Sequence, residues 1–337
     1  MAAGAFKEFS MLKKAPLLIF SAIFCVSAGL AQSPDSLIPY RAGAKWGYAD
    51  KNKKIIIPAR YNAAWPFSEG LALISARGKY GYIDHSGRTV ISPAYQSAGA
   101  FSEGLAPVKI KGLWGYIDKD GKAAIPFIYN ETQPVSGGMA AAKKDGRLGI
   151  IRVATKEFIP TKYDEIYPFS EGLAMVKHAG LFGYIDGQAA EVIPPVYEEA
   201  FPFQGGVASA RFRLKFGFIN RETKIFKAKD FFNIGPVSEG LAHAEQLTEA
   251  PGRCGYIDPA GVEKLSFNYL MCGSFSEGLA PVLKDTKGKW GFIDKAGKEI
   301  IPFKYDEVAS FKDGIAKAVL NGKTFYVDRQ GTEYFKK

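Results

Sequence analysis

The residues able to do chemistry are few and dispersed. His85 falls in an Asp-x-x-Gly stretch, His178 at the expected tip of a hairpin, and His243 in a slot of variable chemistry. A catalytic relay needs a nucleophile, a base and an orienting group within hydrogen-bond reach, and these three stretches give no reason to converge. No Gly-rich phosphate loop, Gly-x-Ser-x-Gly elbow or His-Glu-x-x-His occurs. Asp118-Lys119-Asp120-Gly121 resembles the start of a calcium loop, but Lys122 and Tyr129 stand where oxygen ligands would be required. Glu69, Glu103, Glu171, Glu239 and Glu277 recur in Ser-Glu-Gly, and Gly137, Gly205 and Asp313 replace them elsewhere. A turn role suits such a set better than catalysis. The sequence therefore predicts no catalytic, cofactor-binding or metal-binding residue.

Two local features remain. Cys254 and Cys272 occupy slots that read as core, so they are either buried thiols or, in an oxidising compartment, a disulfide. Arg211, Arg213, Lys215, Arg221, Lys224, Lys227 and Lys229 stand against Glu222 alone in nineteen residues. Arg211, Arg213 and Lys215 alternate as along a strand, which would give them one face and make a partner-binding patch.

What positions these residues is a repeat. Trp46-Gly47-Tyr48, Tyr80-Gly81-Tyr82-Ile83-Asp84, Trp114-Gly115-Tyr116-Ile117-Asp118, Phe182-Gly183-Tyr184-Ile185-Asp186 and Trp290-Gly291-Phe292-Ile293-Asp294 share one motif, with degenerate copies at Leu148, Phe216, Cys254 and Thr324. The first positions step by 34 residues, except for one step of 38 and one of 36. Phe67-Ser68-Glu69-Gly70-Leu71-Ala72 recurs in the same phase at Phe101, Phe169 and Phe275, and an Ile-Pro-x-x-Tyr element places Tyr61, Tyr95, Tyr129, Tyr163, Tyr197, Tyr269 and Tyr305. Together these motifs resemble the WG repeat (KWG repeat) family of bacterial proteins, over nearly all of the chain beyond residue 45. The resemblance implies binding or scaffold modules rather than enzymes.

Aromatic and β-branched residues between Gly-bearing turn signals predict an all-β chain of short antiparallel strands and hairpins. Asp-x-x-Gly and Ser-Glu-Gly read as turns, with Gly in the left-handed region. Gly inside a strand, as at Gly115, predicts close approach of a neighbour, read here as an aromatic packing down. Both extra-long steps add an even number of residues to the hairpin Leu71 to Tyr80 or its equivalents, which preserves side-chain facing. Pro107 and Pro281 fall in the slot of His243, so that slot is expected at an unpaired edge. Thirty-four residues is short for a four-stranded blade. The ends also look unmatched, so the sequence favours an open twisted stack, with a closed β-propeller as the alternative. The expected layout is a signal peptide over 1–31, a lead-in over 32–45, eight repeats over 46–323 and a partial capping repeat over 324–337.

Lys7, Lys13 and Lys14 precede sixteen uncharged residues and the small-residue run Gly29-Leu30-Ala31, the order of a cleaved export signal. Removing it leaves 41 basic and 33 acidic residues. At 47% hydrophobic and 14% aromatic the chain is too apolar for disorder. These readings together predict an exported, non-catalytic scaffold in the periplasm, at the cell surface or outside the cell. Its expected ligand is a protein partner, then a glycan or an anionic envelope component. Nucleic acid and a retained membrane span are not expected, and an enzyme is the least supported reading.

Overall fold

The computed structural model describes residues 37–246, 252–286 and 288–336, so the expected signal peptide lies outside the described residues. The described chain contains strands and turns and no helix. It forms nine antiparallel sheets, seven of four strands and two of three, each built from consecutive strands. These are the blades, numbered here in chain order. In blade 2 the strands are Ala63–Ser68, Leu71–Ala76, Lys79–Ile83 and Thr89–Tyr95.

The second strand of blade 2 is buried on both faces because a blade covers each of them. Ala72 and Ile74 pack with Tyr48, Ile57 and Tyr61 of blade 1, whereas Leu71 and Leu73 pack with Phe101, Ala106 and Val108 of blade 3. The fourth strand alternates buried and exposed residues, as an outer strand with one covered face should. The first two turns of the blade place two residues at positive φ, Glu69 (52°) with Gly70 (89°) and Arg77 (51°) with Gly78 (74°). That geometry matches the right-handed twist of the flanking strands. In the third turn Asp84 Oδ1 accepts the N–H groups of Ser86 and Arg88, and Gly87 takes φ 79°.

The Gly of each Trp-Gly pair faces backbone rather than a neighbouring aromatic alone. Trp46 pairs with Tyr61 and Tyr48 with Ile57, so four residues of the outer strand span the distance of two residues of its neighbour. The bulge presses the Ile-Pro peptide onto the sheet, and a Cβ on Gly47 would lie 2.3 Å from the Ile57 carbonyl oxygen. A ring joins in at some blades, as Phe127 does at Gly115.

The array closes. The expected open stack is overturned by residues 332–336, which bridge Val327 through Glu333 and Arg41 through Phe335. Arg41 N–H donates to the Tyr334 carbonyl at 3.3 Å, Lys336 N–H to the Arg41 carbonyl at 2.9 Å, and the Arg41 guanidinium to the Thr324 carbonyl at 3.0 Å. Ile38, Ile315 and Tyr334 are buried together at the seam. The three-stranded first and last sheets are complementary halves, and the segment read as a cap is the fastener between them. The short period suffices because six of the eight crossings between consecutive blades take one residue, such as Asn62 between Tyr61 and Ala63. Strand Ile38–Ala42, expected in a lead-in, belongs to blade 1.

The long hairpins keep their facing: Val282 pairs with Gly291 and Ala244 with Gly255, as Ile74 pairs with Gly81. Pro107 and Pro281 lie inside their sheets rather than on an outer edge. Gly99 N–H donates to the Pro107 carbonyl, while the Gly99 carbonyl accepts the Tyr82 hydroxyl of the preceding blade at 2.7 Å. The missing proline N–H therefore leaves that carbonyl supplied.

Gly81→Ala should be far more damaging than an ordinary strand substitution, because its Cβ would sit 2.6 to 2.8 Å from the backbone of Ile91 and Pro93. We expect a loss of about 3 kcal/mol in urea unfolding, and a loss below about 1 kcal/mol would contradict the backbone-contact role.

Candidate interaction surface

The two ends of the ring are built differently. At one end the Ser-Glu-Gly turns are joined from blade to blade. Ser68 Oγ donates to the Phe101 carbonyl, Ser102 to Val135, Ser136 to Phe169, Ser170 to Phe203, Ser238 to Phe275 and Ser276 to Phe311, at 2.6 to 2.8 Å. The adjoining carboxylate reaches the same way: Glu103 accepts the N–H groups of Gly137 and Gly138, Glu171 those of Gly205 and Gly206, and Glu277 that of Gly314. Each of the five glutamates sits at φ 51 to 54°, an uncommon conformation for a side chain of this size. The recurring carboxylates thus cap the next blade, a role the turn reading of the sequence caught only in part.

A second set of ties lies deeper. Tyr48, Tyr82, Tyr184 and Tyr256 donate their hydroxyls to the carbonyls of Trp65, Gly99, Phe201 and Gly273 at 2.7 to 2.9 Å, and Tyr116 donates to Gln133. Burial pushes these tyrosines well up from the usual phenol range, so they stay protonated donors. Their rings pack on the Phe of the next blade, with centroids 4.7 to 5.1 Å apart for Tyr48–Phe67, Tyr82–Phe101, Tyr184–Phe203 and Tyr256–Phe275.

The other end carries the turns between second and third strands, and its regularity is broken in blades 7 and 8. In blades 2, 3, 5, 6 and 9 the residue after the tyrosine slot caps the turn: Asn62 accepts Arg77 N–H, Gln96 that of Gly112, Asp164 that of Ala179, Glu198 that of Arg213 and Asp306 that of Asn321. In blades 7 and 8 this slot holds Phe232 and Leu270, and the hairpin is the lengthened one. Phe232 is 57% exposed, and Met271, which follows Leu270, is 53% exposed.

The chemistry-bearing residues do not converge. His85 stacks on Phe67 in blade 2, His178 lies 3.8 Å from Asp164 at the tip of blade 5, and His243 packs over Gly235 in blade 7. No group of three or more His, Cys, Asp or Glu able to hold a metal occurs among the described residues. A trio of titratable groups does meet between blades 4 and 5, where Lys162 Nζ and the Tyr163 hydroxyl reach Glu191 at 3.3 and 3.2 Å. Burial and Glu191 push Tyr163 up to about 12. The same trio recurs as Lys304, Tyr305 and Glu333, which marks it as a tie between blades.

The basic stretch does not form one patch. Arg213 and Leu214 are the turn itself, so Arg211 and Lys215 lie on different strands and the expected alternation fails. Arg211 is held by Glu198 and Glu199, and Lys215 lies 3.7 Å from Asp230. Arg221 and Lys224 belong to the turn at the opposite end, and Lys227 lies on the fourth strand with Lys229 just past it. Cys254 and Cys272 are bonded, with Cα atoms 6.1 Å apart, and join the third strand of blade 7 to the first strand of blade 8.

The WG containing repeat family matches residues 46–80, 80–114, 114–147, 156–181, 182–213, 255–289 and 290–323. The chain belongs to the WG containing repeat family. Comparison with curated proteins finds no sequence match. Among solved structures the chain is similar to a eukaryotic initiation factor at 12% identity, with a TM-score of 0.61 over 90% of this chain and 95% of that one. It is also similar to dihydro-heme d1 dehydrogenase NirN (13% identity, TM-score 0.48, 81% and 74% covered) and to Hsv2p of Kluyveromyces lactis (9%, 0.41, 71% and 95%). The first likeness shows the fold alone, and the other two carry no argument.

Within the WG repeats of this chain, one boundary shows the tie being rebuilt. Phe218 stands in the tyrosine slot and has no hydroxyl, yet the Gly235 carbonyl still finds a donor in Ser209 Oγ at 2.7 Å. Ser209 is the cross-strand partner of Phe218. Ser209→Ala should therefore cost about 1 to 2 kcal/mol in thermal or urea unfolding, and Phe218→Tyr in that background should recover most of it. An additive loss would refute the exchange of donors.

His243 makes the WG ring sensitive to acid. Burial lowers its pKa from 6.5 to about 4, and its Nδ1 has no hydrogen-bond partner. Because the unfolded chain takes up the proton first, this residue should leave stability unaffected above pH 6.5 and lower it by up to about 3 kcal/mol as pH drops from about 6.5 to about 4. His243→Leu should flatten the melting temperature across that window, and an unchanged pH profile would contradict the assignment.

Proposed function

We propose that this WG repeat propeller is an exported, non-catalytic scaffold that binds a protein partner in the cell envelope or outside the cell, through the tip end of blades 7 and 8. One observation carries the reading. The repeated polar groups are committed to holding blade to blade, and the departures from the repeat gather where the cap slot turns apolar beside two lengthened hairpins. Exposed apolar side chains beside variable loops on a rigid frame suit a protein partner. The basic and then apolar order of residues 7 to 30 supports export. The Cys254–Cys272 bond, stable in oxidising compartments, supports it independently.

A glycan reading is less well supported. Arg41 lies over Trp46 at 5.7 Å and Lys109 over Trp114 at 6.0 Å, so the ring faces a sugar would stack on already carry cations. A chain starting at Gln32, used as bait in envelope extract, should retain a saturable partner. Shortening the blade 7 hairpin by four residues within 247–251 should abolish that retention while the melting temperature holds. No saturable partner, or equal retention by the shortened chain, would refute the proposal.

A further inference from the structure

A different part of the tip end points to a lipid surface, independently of the partner site on blades 7 and 8. The Ser-Glu-Gly turns are linked to one another around the ring, so they share one end. The turns between second and third strands of every blade therefore share the other end. Within two residues of these turns, blades 1 to 6 carry thirteen Lys or Arg and one acidic residue, Asp145. Nearby first-strand carboxylates tie down Lys143, Lys177 and Arg211. Among the described residues Arg77, Lys79, Lys111 and Arg147 have no ion pair, and all four are exposed. The excess positive charge of the chain, read from the sequence as a single stretch, is a property of one end of the ring.

Apolar side chains stand among these cations. Leu214 is 80% exposed at the summit of the blade 6 hairpin, between Arg213 and Lys215. It holds φ 62° where the other two-residue turns place Gly78, Gly112, Gly146, Gly180 and Gly322. A leucine in that conformation, touching solvent, is a strained choice that the fold does not require. Ile110 and Leu113 flank Lys111 at the tip of blade 3, and Leu181 follows the turn of blade 5, all exposed.

We propose that the tip end of blades 1 to 6 docks on an anionic lipid bilayer, with Leu214 entering the headgroup layer and the surrounding Lys and Arg meeting lipid phosphates. The exposed apolar residues sit on separate blades with cations between them, so they form no continuous groove for one protein segment. A fluid anionic surface can receive each of them independently. Binding is peripheral, and no described segment is a helix able to cross a membrane.

The test is flotation of the chain from Gln32 to Lys337, which holds every described element, with vesicles of phosphatidylcholine alone or with phosphatidylglycerol. Binding should require phosphatidylglycerol and weaken as salt is raised. Leu214→Gly should bind at least about fivefold more weakly while its melting temperature stays level or rises, since Gly relieves the strained φ. Joint Arg77→Glu, Lys79→Glu and Lys111→Glu should abolish binding. Joint Lys53→Glu, Lys54→Glu and Lys122→Glu, the same charge change at the opposite end, should leave it intact. Shortening the blade 7 hairpin should also leave it intact, which separates this proposal from the protein-partner reading. Absence of flotation, an unchanged Leu214→Gly, or equal loss from the opposite end would overturn it. So would binding of soluble polyglutamate without binding of vesicles, which would make the surface a site for acidic protein.

Discussion

Every blade boundary buries main-chain carbonyls that have lost water, and each must meet a donor or cost the fold its full desolvation penalty. The ring is organised around supplying those donors. Serine hydroxyls supply one set along the Ser-Glu-Gly end, and tyrosine hydroxyls supply another inside the blade contacts. Both sets point from one blade to the next in chain order. A local sequence motif thereby becomes a directional joint, and repetition of the joint sets the rotation between blades. The glutamate belongs to the same joint, since from the turn's positive φ its carboxylate accepts the N–H of the next blade's glycine.

The joint also explains which substitutions the array tolerates. Phe218 could replace tyrosine because Ser209, directly across the strand pair, provides the missing hydroxyl. Pro107 and Pro281 are accepted because the carbonyl their N–H would have met is already taken by a tyrosine. Gly99, Gly235 and Gly273 leave room for the rings of Pro107, His243 and Pro281 respectively. Variation in this slot is therefore a matter of paired volumes and donors, and the mixed chemistry that looked like an exposed edge reflects several solutions to one local constraint.

Much of this was legible from residue spacing alone. Strand class, turn positions, the even insertions and the family follow from the phased motifs, because period-two facing and turn chemistry act within a few residues. Closure was not legible, because it depends on contacts between the two ends of the chain that a local pattern does not encode. Nor was the role of Glu69 and its equivalents: the sequence shows a turn, while the acceptor relationship joins residues about 34 positions apart. The charge of the tip end was misread for a similar reason. Arg211 to Lys229 are contiguous in sequence but divided between both ends, whereas Lys45, Arg77, Lys111 and Arg213 are distant in sequence and share one. Comparing each position with its equivalents in other blades, rather than with its chain neighbours, is what reveals Leu214 and Phe232.

The fastening at residues 332–336 bears on how the molecule comes into being. Its five residues complete the last blade and clasp the first, so the circle stays an arc until residues 332–336 are in place. Eight boundaries between blades can form in sequence as synthesis proceeds, each from residues roughly one repeat apart. The ninth must wait for residues 332–336 and then join Phe335 to Arg41. An interrupted chain would thus expose two raw sheet edges, open to pairing with another chain, while a finished one hides both. The fastener thus closes the circle and covers the open strand edges of the first and last sheets in one step.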